Sequence, residues 1–227
     1  MVRALHLLVL AGLLPPVNAW ALNSPAGAPL PAPSLVATVT ANPAFQEKRA
    51  TPQLVQALRK GGYVLYMRHA TTDANRPDRT PKVDLGDCTS QRPLTQEGRR
   101  LASRIGKAVR DAHIPIGEVW TSPMCRTRET ARLAFGDRVQ EDMALMYTSN
   151  MTAAQKQPVL ENTRRRLSTP VALGSNRVIV SHAPNLADLF GYFIAPEGTV
   201  AIFAPRGNGN FDYLASIHPD DWPALRH

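Results

Sequence analysis

Residues 4–14 are apolar apart from His6 and Gly12, follow Arg3, and give way to Pro15-Pro16 and Val17-Asn18-Ala19. A charged start, a short apolar run and small residues before a cut after Ala19 make residues 1–19 read as a secretory signal peptide, too short to span a bilayer. Residues 20–50 have no sustained apolar period and carry Pro25, Pro29, Pro31, Pro33 and Pro43 among Ala, Ser and Thr, the composition of a Pro/Ala-rich tether. Periodicity sets in after that, so residues 51–227 are expected to fold as one domain.

Within this domain the pattern alternates between helical and strand periods. Thr51-Pro52 offers a cap and a first-turn proline, with Leu54, Val55 and Leu58 on one face before Gly61-Gly62. Residues 63–67 are continuously apolar over a strand's length, as a strand buried on both faces is. After a polar stretch to Pro93, Thr95 caps a helix bearing Leu101, Ile105, Ala108 and Ala112. A strand is expected over 117–121, a helix over 122–135, another helix over 152–167, a strand over 177–180 and a short helix at Pro184. The segments 200–203 and 211–217 read as strands paired through Gly207-Asn208-Gly209-Asn210. Strands alternating with helices imply an α/β sandwich of three layers, its central sheet mainly parallel but mixed, with ligands gathered at the carboxyl ends of the strands.

Composition narrows the function classes. With 44% hydrophobic residues a packed core is affordable, and two cysteines are too few for a four-thiolate zinc site. His6, His113, His218 and His227 lack ligand spacing, so no metal is expected. The net charge of +8 invites a nucleic-acid partner, yet the 26 basic residues are five lysines and 21 arginines. Arginine serves bidentate recognition of carboxylate or phosphate as readily as it makes a basic surface. The run Arg164-Arg165-Arg166 has no aromatic residues interleaved, and no nucleic acid is expected to bind.

The strand exits carry the chemistry. The first expected strand ends in Arg68-His69, the second runs into Ser122-Pro123-Met124-Cys125-Arg126, and a later one ends in Ser181-His182. Two arginines and two histidines thus reach one sheet edge, which suits an anion pocket with an imidazole nucleophile. These residues make the chain resemble the histidine phosphatase superfamily, also called phosphoglycerate mutase-like. The matching blocks are Tyr66-Met67-Arg68-His69-Ala70, Pro93-Leu94-Thr95 with Gly98, Thr121-Ser122-Pro123 with Arg126-Thr127 and Glu129-Thr130-Ala131, and Val180-Ser181-His182.

The resemblance implies a phosphoglycerate mutase-like fold and no cofactor. It implies His69 as the phosphate-accepting nucleophile, with Arg68, Arg126 and His182 holding the phosphoryl oxygens. His69 is then expected neutral and His182 protonated. Ala70 stands where the family commonly has glycine. The Glu-bearing segment that supplies a proton donor in mutase-type members has no counterpart around residues 141–150, so Glu141, Asp142 and Glu197 are the candidate acids. That favours hydrolysis of phosphomonoesters or phosphoramidates over mutase chemistry, through phosphohistidine. The alternative is a non-catalytic binder of phosphorylated envelope glycans. The partner implied is a small phosphorylated substrate such as a sugar phosphate or a lipopolysaccharide phosphate, and the signal peptide implies a periplasmic or secreted protein without a transmembrane segment. Cys88 lies in the loop after His69 and Cys125 just before Arg126. In an oxidising compartment a disulfide between them would pin that loop over the pocket; two free thiols are the alternative.

Overall fold

The structure, a computed structural model, describes residues 44–79 and 83–225. The expected signal peptide, residues 1–19, and the expected tether as far as residue 43 lie outside the described residues. The elements, in chain order, are α1 (Pro52–Leu58), β1 (Val64–Arg68), α2 (Gln96–Asp111), β2 (Ile116–Thr121), α3 (Cys125–Phe135), β3 (Gln140–Glu141), α4 (Ala153–Ser168), β4 (Asn176–Ser181), α5 (Ala183–Phe190), β5 (Val200–Gly207) and β6 (Asn210–Ile217). Thr51, Thr95 and Thr152 cap α1, α2 and α4 through their hydroxyls.

The sheet runs β3-β2-β4-β1-β5-β6. β4 pairs in parallel with β1 and β2, β2 in parallel with β3, and β5 is antiparallel to both β1 and β6. This is the mixed, mainly parallel sheet expected from the sequence. Side chains of β1 alternate between two cores. Leu65 and Met67 join Val178, Val180 and Ile202 under α1, α2 and α3, whereas Val64 and Tyr66 join Ile179, Ala201 and Phe203 on the face of Leu167 and Leu186. The two cores make the three layers, and a strand clothed on both sides needs the continuous apolar run seen in the sequence. The last hairpin turns at Asn208 and Gly209, with φ of 50° and 78°, the two left-handed residues that a tight hairpin of this twist demands.

Three features differ from the expected pattern. α3 starts at Cys125 rather than at residue 122, because the residue before Pro123 is steered away from helical backbone. β3, two exposed residues at the sheet edge, is too short to show a period. The end of the expected tether packs on the domain: Phe45 stacks on Tyr192 with centroids 4.2 Å apart, and the Ala50 N–H donates to the Ser216 carbonyl at 2.9 Å.

Candidate active site

β1, β4 and β2 are neighbours and run in one direction, so their carboxyl ends deliver the chain to one place. The register continues past the strands: the His69 N–H donates to the Ser181 carbonyl at 3.0 Å and the Ser122 N–H to the Val180 carbonyl at 3.1 Å. Tyr66 fixes the next turn of β4, its hydroxyl donating to the His182 carbonyl at 2.8 Å and accepting the His182 N–H at 3.2 Å. Helix α2 closes in behind the β1 exit through Gly98, where a Cβ would lie 2.0 Å from the Thr71 carbonyl oxygen.

The His69 and His182 rings sit edge to face with centroids 5.5 Å apart, both buried. The Nδ1–H of His69 donates to the Ala70 carbonyl at 2.9 Å, which leaves the lone pair on Nε2. Burial first, and the Arg126 charge second, hold the His69 pKa well below that of a free imidazole; for His182 the causes are burial, Arg126 and then His69. Both rings are therefore neutral at neutral pH among the protein's own groups. The opposite charge states expected from the sequence are not set by the protein side chains alone. His182 Nε2 lies 2.9 Å from Ser122 Oγ; with that hydroxyl donating, Nδ1 carries the ring proton.

Arg126 is wholly buried, its Nη1 held by both oxygens of Asp78 at 3.0 and 3.2 Å and its guanidinium 5.2 Å from the Tyr147 ring centroid. The same Tyr147 ring lies 5.3 Å from that of His182. Arg68 donates from Nη1 to the Ile194 carbonyl at 3.1 Å and from Nη2 to Glu197 at 3.5 Å. Burial lowers the pKa of both guanidinium groups, though not to the point of neutrality.

A fourth cation, Arg92, escaped the sequence reading. Its charge depresses the pKa of His69, His182, Arg68 and Arg126 alike, so it belongs to the same cluster. Arg92 sits two residues before Leu94-Thr95, next to a block that the resemblance used, and that adjacency was the available signal. Among the described residues, five buried nitrogens of this cluster find no hydrogen-bond partner: Arg68 Nε, Arg92 Nε, Arg126 Nε and Nη2, and His182 Nδ1. Buried donors are ordinarily satisfied, so five left without partners in one cluster of charges suit an anion with several acceptor oxygens.

The three candidate acids separate cleanly. Glu141 pairs with Arg128 and Arg132, each at 3.5 Å, on the edge strand. Asp142 accepts from Arg166 Nε at 2.7 Å and from Asn162 at 2.9 Å. Only Glu197 reaches the cluster. One of its oxygens accepts the Thr72 N–H at 3.1 Å; the other accepts the Thr72 hydroxyl at 2.8 Å and stands 3.7 Å from His69 Nδ1. Cys88 and Cys125 form a disulfide. It joins the loop bearing Asp78 and Arg92 to the first residue of α3, where the Cys125 N–H donates to Gln91 Oε1 at 2.8 Å.

Residues 64–156 match the family model described as histidine phosphatase superfamily (branch 1). Among curated proteins no sequence matches. Among solved structures, an Escherichia coli K-12 protein assigned as an alpha-ribazole-5′-P phosphatase is 20% identical with a TM-score of 0.50, over 69% of this chain and 97% of that one. The protein histidine phosphatase SixA in complex with tungstate is 16% identical with a TM-score of 0.47, over 70% and 98%. The open reading frame Rv3214 of Mycobacterium tuberculosis is 16% identical with a TM-score of 0.49, over 69% and 98%. The first of these likenesses speaks to the fold. The matched segment holds the β1 exit, the Asp78 and Arg92 loop and α3.

Proposed function

We propose that the chain is a phosphatase that hydrolyses phosphomonoesters, or phosphoramidates, through a phosphohistidine on His69. The observation that carries the reading is a set of five partnerless buried nitrogens on Arg68, Arg92, Arg126 and His182, the cations whose charges act on His69 among them, with the Nδ1–H of that imidazole already engaged. The Nε2 lone pair attacks phosphorus, the bond to the leaving oxygen or nitrogen breaks, and its electrons depart with the leaving group, which takes up a proton. The three equatorial oxygens rest on Arg68, Arg92, Arg126 and His182, fixed donors where charge is redistributed. Attack places positive charge on the His69 ring, and the Glu197 carboxylate 3.7 Å from Nδ1 offsets it. Water then attacks the phosphoryl group, releasing inorganic phosphate and restoring the neutral ring. A bound dianion favours the protonated form of His182, so the charge state expected of that residue arises with the substrate rather than before it.

The Cys88–Cys125 disulfide supports an oxidising compartment, in keeping with residues 1–19 acting as an export signal. Among the described residues no helix is long and apolar enough to cross a membrane. The test is turnover of an aryl phosphate, phosphohistidine and sugar phosphates, lipopolysaccharide phosphates included, by the oxidised protein and by His69→Ala. The reading expects hydrolysis by the first and a loss of at least about a thousandfold in the second, the scale of removing a nucleophile. Wild-type rates in His69→Ala refute it, and tight phosphate binding without turnover of any ester puts a glycan-phosphate binder in its place.

A further inference from the structure

Beside the phosphate cluster lies a cavity of about 560 Å³, a volume that suits a small organic ligand. Its walls are apolar: Leu85 from the long loop, Met124 from the residue before the disulfide, Met146 and Met151 from the segment between β3 and α4, and Pro158 from α4. Exposed Arg79, Asn150 and Gln155 form its polar rim. Tyr147 belongs to both sites. It lines the cavity while its ring faces the Arg126 guanidinium and the His182 imidazole at 5.2 and 5.3 Å. The cavity wall is anchored to the same frame as the catalytic edge, since the Asn185 side-chain amide donates to the Met146 carbonyl at 2.9 Å and the Ser181 hydroxyl to the Leu145 carbonyl at 3.1 Å.

Resting on the phosphatase reading, we propose that this cavity is the subsite for the organic group of the substrate, and that it selects phosphate monoesters of apolar alkyl or aryl alcohols over sugar phosphates. A phosphoryl group held by Arg126 and His182 carries its ester group past Tyr147, where three thioethers and a leucine await it. A sugar placed there would set hydroxyls against Leu85, Met124, Met146, Met151 and Pro158, which offer them no partners, and only those reaching the rim would be met, a cost an alkyl chain does not carry. Unbranched methionine side chains adapt to chains of differing length, so the pocket sets a chemical class rather than one shape.

The test separates binding from turnover by using straight-chain alkylphosphonates, from methyl to octyl, titrated calorimetrically into the oxidised protein. Each methylene buried tightens binding by about fourfold, from about 0.8 kcal/mol per methylene. Met151→Asp, which puts a charge into a partly exposed wall position, is expected to flatten that dependence. Butyl, hexyl and octyl phosphates share one leaving-group acidity, so kcat/KM is expected to climb along that series too, and to exceed that for glucose 6-phosphate. Phosphonates that bind with an affinity independent of chain length overturn the subsite and leave the phosphate pocket standing. So does an equal slope in Met151→Asp, or a preference for glucose 6-phosphate over octyl phosphate. If methylphosphonate and its longer homologues all fail to bind, the phosphate pocket itself falls and the subsite with it.

Discussion

Asp78→Asn changes one charge in the most tightly buried part of the site. Arg126 is wholly buried and Asp78 is 10% exposed, with two oxygens on Nη1 at 3.0 and 3.2 Å; one of them also accepts the Arg92 N–H at 2.8 Å. Asparagine keeps the shape and one acceptor but removes the carboxylate paired with Arg126, leaving that cation beside Arg92. Breaking a buried ion pair by removing one partner costs about 3–5 kcal/mol, and the slight exposure of Asp78 points to the lower end. In a domain of this size each kcal/mol moves the melting midpoint by about 2–4 °C, so a fall of about 6–12 °C is expected. Inorganic phosphate offsets part of the Asp78 contribution. The carboxylate repels a bound dianion, so the variant binds phosphate more tightly, and ligand at 100 times Kd returns about 2.7 kcal/mol. Scanning calorimetry of both proteins in chloride and in phosphate, at equal ionic strength, measures the two effects. The gap between them is expected to narrow in phosphate. A gap under about 2 °C in chloride, or one that widens in phosphate, refutes the claim that Arg126 is a buried cation poised for an anion.

Reducing the disulfide, which joins residues 37 apart, removes about 4 kcal/mol by loop-closure entropy, so the midpoint falls by about 8–16 °C; unchanged melting after reduction sinks this expectation. Stability also depends on pH through His69 and His182. Their folded pKa values lie well below the ordinary 6.5, so above 6.5 each is neutral folded and unfolded and stability is complete. As pH falls below 6.5 the unfolded chain binds protons that the folded site refuses, and stability drops by up to about 1.4 kcal/mol per pH unit for each ring until the folded pKa is reached. His182→Gln therefore shows a shallower decline between pH 6.5 and the carboxylate range, and parallel curves would contradict the assignment. Arg92→Ala is expected to weaken phosphate binding by about 10- to 100-fold in calorimetry, the worth of a charge-assisted hydrogen bond. Unaltered affinity would take Arg92 out of the pocket.

Three adjacent strands of the sheet, β1, β4 and β5, were legible because burial on both faces demands apolar runs, as in residues 64–67, 177–180 and 200–204. The candidate site residues drew notice for a related reason, since Arg68, His69 and His182 stand at the ends of such runs and Arg126 lies in the first turn of the helix after β2. Arg92 was not, because it lies in a long polar loop with no period. Its place depends on tertiary ties, namely the Asp78 bridge, the Gln91 bond to Cys125 and the disulfide. The ligand-free charge state of His182 is written in no motif: burial is the largest cause of its lowered pKa, and burial belongs to the fold. Phe45 and Ala50 were read with the proline-rich segment before them, although the Phe45 stack on Tyr192 and the polar ties of Glu47, Arg49 and Ala50 bring that stretch onto the domain. Glu197 could not be told from Glu141 and Asp142 by sequence, because its selection depends on Thr72, which folds back beside His69.

The most direct measurement is the covalent intermediate itself. The oxidised protein, mixed with a rapidly hydrolysed aryl phosphate and quenched in alkali within its first turnovers, is digested and its peptides mapped by mass spectrometry under conditions that preserve phosphohistidine. One phosphoryl group on His69, present during turnover and gone once substrate is exhausted, is the predicted result. Steady turnover with His69 unmodified throughout, or with the phosphoryl group on another residue, would contradict it.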